Sequence, residues 1–274
     1  MVRNLLIDAD LMAYRASSAC QKNYDWGDGV KSVSTDIDAA KSHLKDLLDG
    51  WMHKLDGDKL TICLSDDFDN FRKDVDPTYK QSRGDTERPI HLYELKTWLS
   101  EQYPFVRYRR LEADDVMGIM ATEPSDEERI IVSQDKDMKT IPGWLYRPFS
   151  DNPKLEEITL EAADRFHLYQ TLIGDAVDGF PGCPGMGPVA AAKHLDGKTG
   201  FEDYQHEFKA GPRKGLTETR WREVPMDNPW DIVVSLYRKA GKTAKDALVQ
   251  ARLARILRHG EHRNWVPILW VPGS

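Results

Sequence analysis

The residues of this chain that could do chemistry are mostly carboxylates, and several follow a short apolar run. These acids are Asp8 after residues 5–7, Asp66 and Asp67 after residues 60–64, and Asp135 and Asp137 after residues 130–132. Short continuous apolar runs are typical of buried strands. Ligand sites of an open parallel sheet lie beyond the carboxyl ends of its strands, so the pattern predicts acids along one edge. One such Asp is more often a turn former or helix cap, but three repeats favour a common site.

Two further acidic clusters could join the same site. The first contains Glu112, Asp114 and Asp115, and the second is the pair Asp175 and Asp178. An acid-rich first turn of a helix explains the first cluster equally well. The second, with its spacing of three, also fits a solvated helix face.

Together these groups make a candidate set of nine metal ligands. The set is Asp8, Asp66, Glu112, Asp114, Asp115, Asp135, Asp137, Asp175 and Asp178. So many carboxylates in one pocket would be driven to protonate unless cations were bound. Oxygen ligands without His or Cys select Mg²⁺ or Mn²⁺ over zinc. Nine acids exceed the needs of one octahedral ion, so we expect two Mg²⁺ (or Mn²⁺) ions, an arrangement suited to in-line attack on a phosphodiester.

Basic residues lie between the second apolar run and the Glu112 cluster. Lys80 and Arg83 are three residues apart and would share one face of a helix. With Arg72 they are the candidate catalytic cations, because such side chains can hold a phosphate and offset the charge that develops on it. An ordinary basic surface is the plainer interpretation of this segment alone.

A glycine-rich segment, Gly179 to Lys193, directly follows the second acidic pair. Glycines let backbone approach backbone, and Pro188 suits the first position of a helix. We therefore expect a turn of the helix–hairpin–helix kind whose N–H groups face a phosphate. The candidate DNA-binding residues are Gly182, Gly185, Gly187 and Lys193.

Strands and helices alternate in the first part of the chain. Apolar residues at a period near 3.6 predict helices over residues 36–52, and similar patterns indicate helices over 92–103 and 115–121. Alternation of this kind predicts an α/β fold with a central, mostly parallel, doubly wound sheet.

The pattern beyond about residue 159 is mostly helical. A polar stretch over residues 201–229 has no clear period and predicts a long loop. Residues 230–259 predict two helices broken at Gly241, and the apolar segment 265–271 predicts a last edge strand, which Pro267 would suit.

Composition limits the class of protein. The chain has 274 residues, 40% hydrophobic and 30% charged, which predicts a globular protein with a real core. It has no apolar run long enough to span a membrane and no signal-peptide pattern, so we expect it in the cytoplasm. Three cysteines far apart argue against a disulfide framework and a zinc knuckle. The net charge of −7 argues against a nucleic-acid partner unless many acids hold cations.

In order and spacing, these motifs resemble those of the 5′-nuclease (flap endonuclease) superfamily, most closely the 5′→3′ exonucleases of bacteriophages. The resemblance rests on Leu6-Ile7-Asp8, Leu64-Ser65-Asp66, Phe71-Arg72-Lys73, Tyr79-Lys80-x-x-Arg83, Leu111-Glu112-Ala113-Asp114-Asp115, Ser133-Gln134-Asp135-Lys136-Asp137, Gly174-Asp175-x-x-Asp178 and the turn Gly182 to Gly187. It extends from residue 5 to about residue 195, and residues 251–257 resemble the phage branch.

The resemblance implies a metal-dependent enzyme that cuts DNA from a 5′ end or at a flap, in phage replication, primer removal or recombination. It implies a first metal group and a more loosely held second group, with Asp115 supporting either. The first is Asp8, Asp66, Glu112, Asp114 and Asp135, and the second is Asp137, Asp175 and Asp178. It further implies that Lys80 and Arg83 steer the scissile phosphate, and that the hairpin grips duplex DNA with a monovalent cation such as K⁺.

The resemblance also implies a domain organisation. Residues 1–170 would form the α/β nuclease domain with a short basic arch over about 68–89. Residues 171–274 would form a helix–three-turn–helix motif and a helical C-terminal region packed on it. Asp67 follows Asp66 directly, so either could be the ligand, and we prefer Asp66 because it comes sooner after the strand.

Three other functions fit part of the pattern. Asp8-Ala9-Asp10 at a strand end also suits a phosphatase of the haloacid-dehalogenase type, which leaves Glu112, Asp114 and the glycine turn unexplained. A DNA-binding member of the superfamily without catalysis would lack ligands, whereas every expected position here is acidic. An RNase of the related PIN type shares the acidic edge but lacks the hairpin.

Overall fold

The computed structural model describes residues 1–29, 31–81 and 87–273. These form two compact units. The first takes the described residues of Met1–Phe71, Asp85–Ala163 and Ile256–Ile268, and the second those of Arg72–Gly84, Asp164–Arg255 and Leu269–Ser274. The chain thus returns to the first unit over Ile256–Ile268, whereas the predicted division at residue 170 assigns all later residues to the second region.

A six-stranded sheet forms the centre of the first unit. The strands up to residue 158 are β1 (Arg3–Asp8), β2 (Gln21–Asp25), β3 (Lys31–Thr35), β4 (Lys59–Leu64), β5 (Phe105–Arg107), β6 (Glu128–Val132), β7 (Gly143–Tyr146) and β8 (Leu155–Ile158). The order in the sheet is β5-β4-β1-β6-β7-β8, and only the β7–β8 pair is antiparallel. Strands β2 and β3 form a separate hairpin. The predicted mostly parallel sheet is confirmed.

Helices flank this sheet. In the first unit they are α1 (Ala9–Ala19), α2 (Ile37–Lys54), α4 (Leu92–Gln102) and α5 (Ala113–Thr122). Helix α3 (Arg72–Val75) belongs to the second unit, and α6 (Leu160–Ile173) begins in the first unit and continues in the second. The three helices predicted from apolar periodicity correspond to α2, α4 and α5. None of the described helices is long and apolar enough to cross a membrane.

Alternation along β1 distributes the core to both faces of the sheet, because successive strand side chains point in opposite directions. Leu5 and Ile7 lie in one apolar cluster with buried residues of α1, α2 and α4. Leu6 lies in the other, with α5 and the C-terminal residues Ile256 and Leu257. Burial on both faces fixes the strand and therefore the position of Asp8 at its end.

The second unit contains helices and an antiparallel ribbon. Its further elements are α7 (Pro188–Gly197), β9 (Thr199–Glu207), β10 (Thr217–Pro225), α8 (Pro229–Lys239) and α9 (Ala244–Ala254). The loop predicted over 201–229 is wrong, because β9 and β10 pair from Thr199 with Pro225 to Glu207 with Thr217. The predicted break at Gly241 is confirmed, and this glycine has φ +75°.

The C-terminal segment departs from the prediction. It forms only two-residue strands, β11 (His262–Arg263) and β12 (Val266–Pro267), which pair with each other. The expected edge strand of the central sheet is therefore wrong. Pro267 cannot donate a ladder hydrogen bond, and a short isolated pair accommodates it.

Candidate active site

Ser133 joins the ends of the two central strands. Asp8 ends β1 and caps α1, accepting a 3.1 Å hydrogen bond from the Leu11 amide. The Ser133 hydroxyl, just after β6, donates to Asp8 Oδ2 at 2.6 Å and accepts from the Asp135 amide at 3.1 Å. Two of the predicted acids therefore lie at one edge of the sheet, in the parallel register that pairs Ile7 with Val132.

Asp10 joins this edge from the first turn of α1. Its Oδ2 accepts a 3.0 Å hydrogen bond from the Ser65 amide, and its Oδ1 lies 2.8 Å from the Lys96 ammonium. Lys96 is buried and also pairs with Asp67. Sequence reasoning considered Asp10 only in the phosphatase alternative and missed Lys96. A lysine beside Leu92, Leu95 and Leu99 on the buried face of α4 was the available signal.

A fourth acid, Asp114, acts on the same part of the sheet through its charge. Burial raises the pKa of the Cys63 thiol, and the charges of Asp8, Asp10 and Asp114 raise it further. These carboxylates therefore lie close enough to Cys63, in β4, for their charges to act on its thiol. Without a bound metal ion the thiol stays neutral.

The pKa of Asp8 reflects the crowding. It is raised from 3.8 to about 7, first by burial and then by the charges of Asp10 and Asp135, against hydrogen bonds from Ser133 and Leu11. We call Asp8, Asp10, Asp114 and Asp135 the acidic edge. The ionised carboxylates of this edge repel one another where little water reaches them. A bound cation would therefore lower the free energy of their ionised forms.

Asp66 and Asp67 both have protein partners. Asp66 accepts hydrogen bonds from the amides of Arg110 at 2.8 Å and Phe68 at 3.0 Å. Burial acts to raise its pKa, but these backbone hydrogen bonds hold it below the ordinary value. Asp66 thus shapes the loop after β4, Asp67 pairs with Lys96, and the preference for Asp66 as a ligand stays a prediction.

Asp115, predicted as a metal ligand, is held by backbone amides, and its ligand role stays a prediction. Its side chain is fully buried, and its oxygens accept hydrogen bonds from the amides of Glu112 at 3.2 Å and Leu257 at 3.1 Å. The first contact caps α5 and the second holds the C-terminal segment of the same unit. The capping contact explains an acid at this position of the first turn of α5.

Asp137 lies in the first turn of the short 3₁₀ helix Lys136–Thr140, and its amide donates to Asp135 Oδ1 at 2.8 Å. Among the described residues, no group of three or more His, Cys, Asp or Glu side chains has the arrangement of ligands around one metal ion. The carboxylates instead use oxygens in caps, turns and ion pairs. Convergence of all nine predicted acids stays a prediction.

Lys80 and Asp178 meet within the second unit. The Lys80 ammonium lies 3.5 Å from Asp178 Oδ2, and the Lys80 amide donates to the Asp178 carbonyl at 2.9 Å. Tyr79 donates its hydroxyl to the same carboxylate at 3.3 Å. Lys80 has a left-handed backbone with φ +55°. The basic segment is thus held on the turn that carries the second acidic pair.

Arg72, predicted as a catalytic cation, is held inside the second unit, and its catalytic role stays a prediction. Its side chain is buried, and its guanidinium donates to the carbonyls of Leu253 at 3.0 Å and Arg255 at 2.6 Å. These bonds fix α3 against the end of α9 in the second unit. Arg83 and part of the predicted arch lie outside the described residues.

The glycine-rich segment forms a tight double turn between α6 and α7. Asp175 and Phe180 exchange backbone hydrogen bonds of 2.7 and 3.0 Å, and the Asp175 carboxylate accepts from the Val177 amide at 2.8 Å. A Cβ at Gly182 would lie 2.4 Å from the Gly174 nitrogen, and the reverse contact is equally short. Both positions have positive φ, so both require glycine.

The other predicted DNA-binding residues surround the start of α7. Gly185 has φ +74°, and Gly187 is the N-cap, followed by Pro188 at the first helical position. Lys193 is exposed one turn further along the helix. The predicted hairpin turn is therefore present, and its role in binding DNA stays a prediction.

Comparison with known proteins identifies the family. Residues 3–143 match the family model described as 5′-3′ exonuclease, N-terminal resolvase-like domain. This chain belongs to the 5′-3′ exonuclease family. The matched region contains all four residues of the acidic edge, and the family match argues against the phosphatase alternative. The exodeoxyribonuclease of Enterobacteria phage T3 is 33% identical over 98% of this chain and 93% of its own length. The exonuclease of Escherichia phage T7 is 32% identical with the same coverage.

Solved structures of bacteriophage T5 enzymes share the fold of this exonuclease family member. The T5 D15 protein co-crystallised with metal ions has a TM-score of 0.53 and 14% identity, over 72% of this chain and 75% of its own. The T5 5′-exonuclease with zinc bound has a TM-score of 0.55 and 13% identity, over 92% and 93%. At such low identity, the likeness shows the fold alone.

Proposed function

We propose that this protein hydrolyses DNA phosphodiester bonds from a 5′ end or at a 5′ flap, and that it requires divalent cations at the acidic edge. Membership of the 5′-3′ exonuclease family makes it a hydrolase. The observation that carries the metal requirement is the position of Asp8 and Asp135 at neighbouring strand ends, joined by Ser133, with Asp10 in the first turn of α1 beside them.

The donor chemistry of this edge fits Mg²⁺ or Mn²⁺. Every member is a carboxylate, and the nearby Cys63 thiol is held neutral. Hard cations prefer such oxygen ligands. The T5 D15 protein, which shares the fold, was co-crystallised with metal ions, and this supports a metal requirement. We infer two ions, and we expect the acidic edge to contribute ligands to the first of them.

Divalent cations bound there supply Lewis acidity and positive charge at the scissile phosphate. The chain's own residues bind and orient the DNA. The Lys80 ammonium, held by Asp178, contacts the phosphate and offsets charge that develops on it. The amides of the turn before α7 bind the phosphate backbone, with K⁺ at the turn. Ser133 keeps Asp8 and Asp135 aligned.

The biological setting follows from the relatives. Exonucleases of phages T3 and T7 match this chain over nearly its whole length. We infer a role in phage DNA replication, primer removal or recombination, in the host cytoplasm. RNA of an RNA/DNA hybrid is a further expected substrate.

End-labelled DNA tests the proposal. Duplex and flap substrates are labelled separately at the 5′ and 3′ ends and incubated with the protein in Mg²⁺ or EDTA. We expect release of the 5′ label first, and no cleavage in EDTA. Release that begins at the 3′ label, or cleavage that persists in EDTA, would contradict the proposal.

A matched pair of variants assigns the activity to the acidic edge. Asp135→Asn removes one member of that edge, whereas Asp151→Asn removes an exposed carboxylate in the loop between β7 and β8. We expect Asp135→Asn to abolish cleavage and Asp151→Asn to retain it. Binding in EDTA without cleavage by the wild type in Mg²⁺ would instead indicate a DNA-binding member without catalysis.

A further inference from the structure

The ribbon of β9 and β10 places the arginines of its strands on one face. On one face, three residues of β9 lie opposite three of β10: Glu202 with Arg222, Tyr204 with Arg220, and His206 with Glu218. The charged residues of the opposite face are all acidic: Asp203, Glu207 and Glu223. Every arginine of the two strands therefore lies on one side. We call Tyr204, His206, Phe208, Arg213, Arg220 and Arg222 the arginine face.

Aromatic rings support the guanidinium groups of this face. Arg213 and Arg220 lie over the Phe208 ring at 4.5 and 5.4 Å, and Arg222 lies over Tyr204 at 5.7 Å. His206 packs edge-on between the two rings. Stacking holds a guanidinium flat and leaves its N–H edge directed outward. The face is thus an ordered row of guanidinium groups whose N–H groups can donate hydrogen bonds to phosphate oxygens.

The ion pairs on this face are weak obstacles to a ligand. Arg222 pairs with Glu202, and Glu218 pairs with both Arg220 and Arg213. The Arg213 and Arg222 side chains are about two thirds exposed. Exposed pairs of this kind contribute little free energy, so phosphate can replace the carboxylates.

The tip of the ribbon extends the positive charge. Residues 208–215 contain Lys209, Arg213 and Lys214 and no acid. This concentration is unusual in a chain with a net charge of −7. A basic stripe on one side of an acidic protein is the electrostatic pattern of a nucleic-acid contact.

We propose that the arginine face binds the phosphate backbone of duplex DNA. The inference rests on the proposed function and adds a contact outside the acidic edge and the glycine turn. Duplex is favoured over single strands because the guanidinium groups cover the Tyr204 and Phe208 rings, on which unpaired bases would otherwise stack. The face contacts backbone, so its affinity is independent of base sequence.

The salt dependence of binding tests this contact. A fluorescent 30-base-pair duplex is titrated with the full chain in EDTA at 50–200 mM salt, comparing wild type with Arg220→Gln/Arg222→Gln. Loss of two phosphate contacts lowers the slope of log K against log salt by about 1.8. The loss of affinity between 50 and 200 mM should then be about tenfold smaller in the variant. An unchanged slope would overturn the proposal.

Three comparisons make the result specific. Lys41→Gln/Lys45→Gln on α2 changes the net charge equally, so an equal loss of slope there would contradict a local contact. Arg220→Lys/Arg222→Lys keeps the two charges and should keep the wild-type slope. This variant still tests the contact if the Gln variant fails to fold, because a changed slope would then contradict a contact that depends on charge. Loss of single-strand binding with intact duplex binding would overturn the choice of ligand. A wild type that binds no DNA would refute the proposed function itself.

Discussion

At the residue scale, Asp8 combines a structural cost with a role at the site. Its pKa of about 7 lies above the 3.8 of an ordinary Asp, so the folded protein binds more protons than the unfolded chain between these values. The stability of the metal-free protein therefore falls as pH rises through that window and stays lower above it. The penalty is therefore complete above the folded-state pKa of about 7.

We predict that Asp8→Asn stabilises the metal-free protein while abolishing cleavage. The gain should be absent near pH 4, grow to pH 7 and reach roughly 4 kcal/mol at most, from about 1.36 kcal/mol per pKa unit. Denaturant unfolding in EDTA at pH 4, 6 and 8 measures it. Equal stability of variant and wild type at pH 8 would show that Asp8 is not crowded as described.

Lys80 provides the second residue-scale prediction. Lys80→Gln removes a positive charge beside Asp178 and should lower the single-turnover cleavage rate on the order of 10²–10³. Lys73→Gln is the matched control, because Lys73 is an exposed cation on the nearby α3. Equal rates for the two variants would remove Lys80 from the proposed phosphate contacts.

At the element scale, apolar patterning predicts what is buried and misses what is not. Strand β1 was predictable because Leu5, Leu6 and Ile7 are apolar on both faces. The ribbon was missed because each of its faces mixes charged and aromatic residues, with no continuous apolar face for periodicity to detect. The partners of Arg72 were not predictable, because a charge in the sequence gives no sign that a carbonyl of α9 will accept its hydrogen bond.

The turn between α6 and α7 allows a test with two glycines. Gly182→Ala would place a Cβ 2.4 Å from the Gly174 nitrogen, so we expect loss of several kcal/mol or failure to fold. Gly185→Ala meets no atom within 4 Å and has only its positive φ to accommodate, so about 1–2 kcal/mol is expected. Thermal unfolding of the pair measures the difference, and similar losses would contradict the described turn.

At the scale of the whole molecule, the net charge of −7 is reconciled with a DNA substrate by its distribution. Acids collect at the strand ends of the first unit, where cations would neutralise them. Cations collect on one face and the tip of the ribbon in the second. Overall charge alone argued against a nucleic-acid partner, and only the fold separates the two populations.

The candidate site was predictable only for those residues that directly follow a strand. Asp8 and Asp135 follow from the end of an apolar run, since parallel neighbours end at the same edge. Asp10 and Ser133 did not follow, because their roles depend on hydrogen bonds between segments distant in sequence. The spacing of acids along the sequence locates such an edge, but it does not show which of several neighbouring acids is a metal ligand.

Manganese binding tests the central claim most directly. Mn²⁺ binding to the full chain is counted by electron paramagnetic resonance without DNA, for wild type, Asp135→Asn and Asp151→Asn. We predict two bound ions for wild type and Asp151→Asn, and for Asp135→Asn a loss of about tenfold or more in the affinity of the tighter ion. Wild-type protein that binds Mn²⁺ no better than Asp135→Asn would contradict a cation site at the acidic edge.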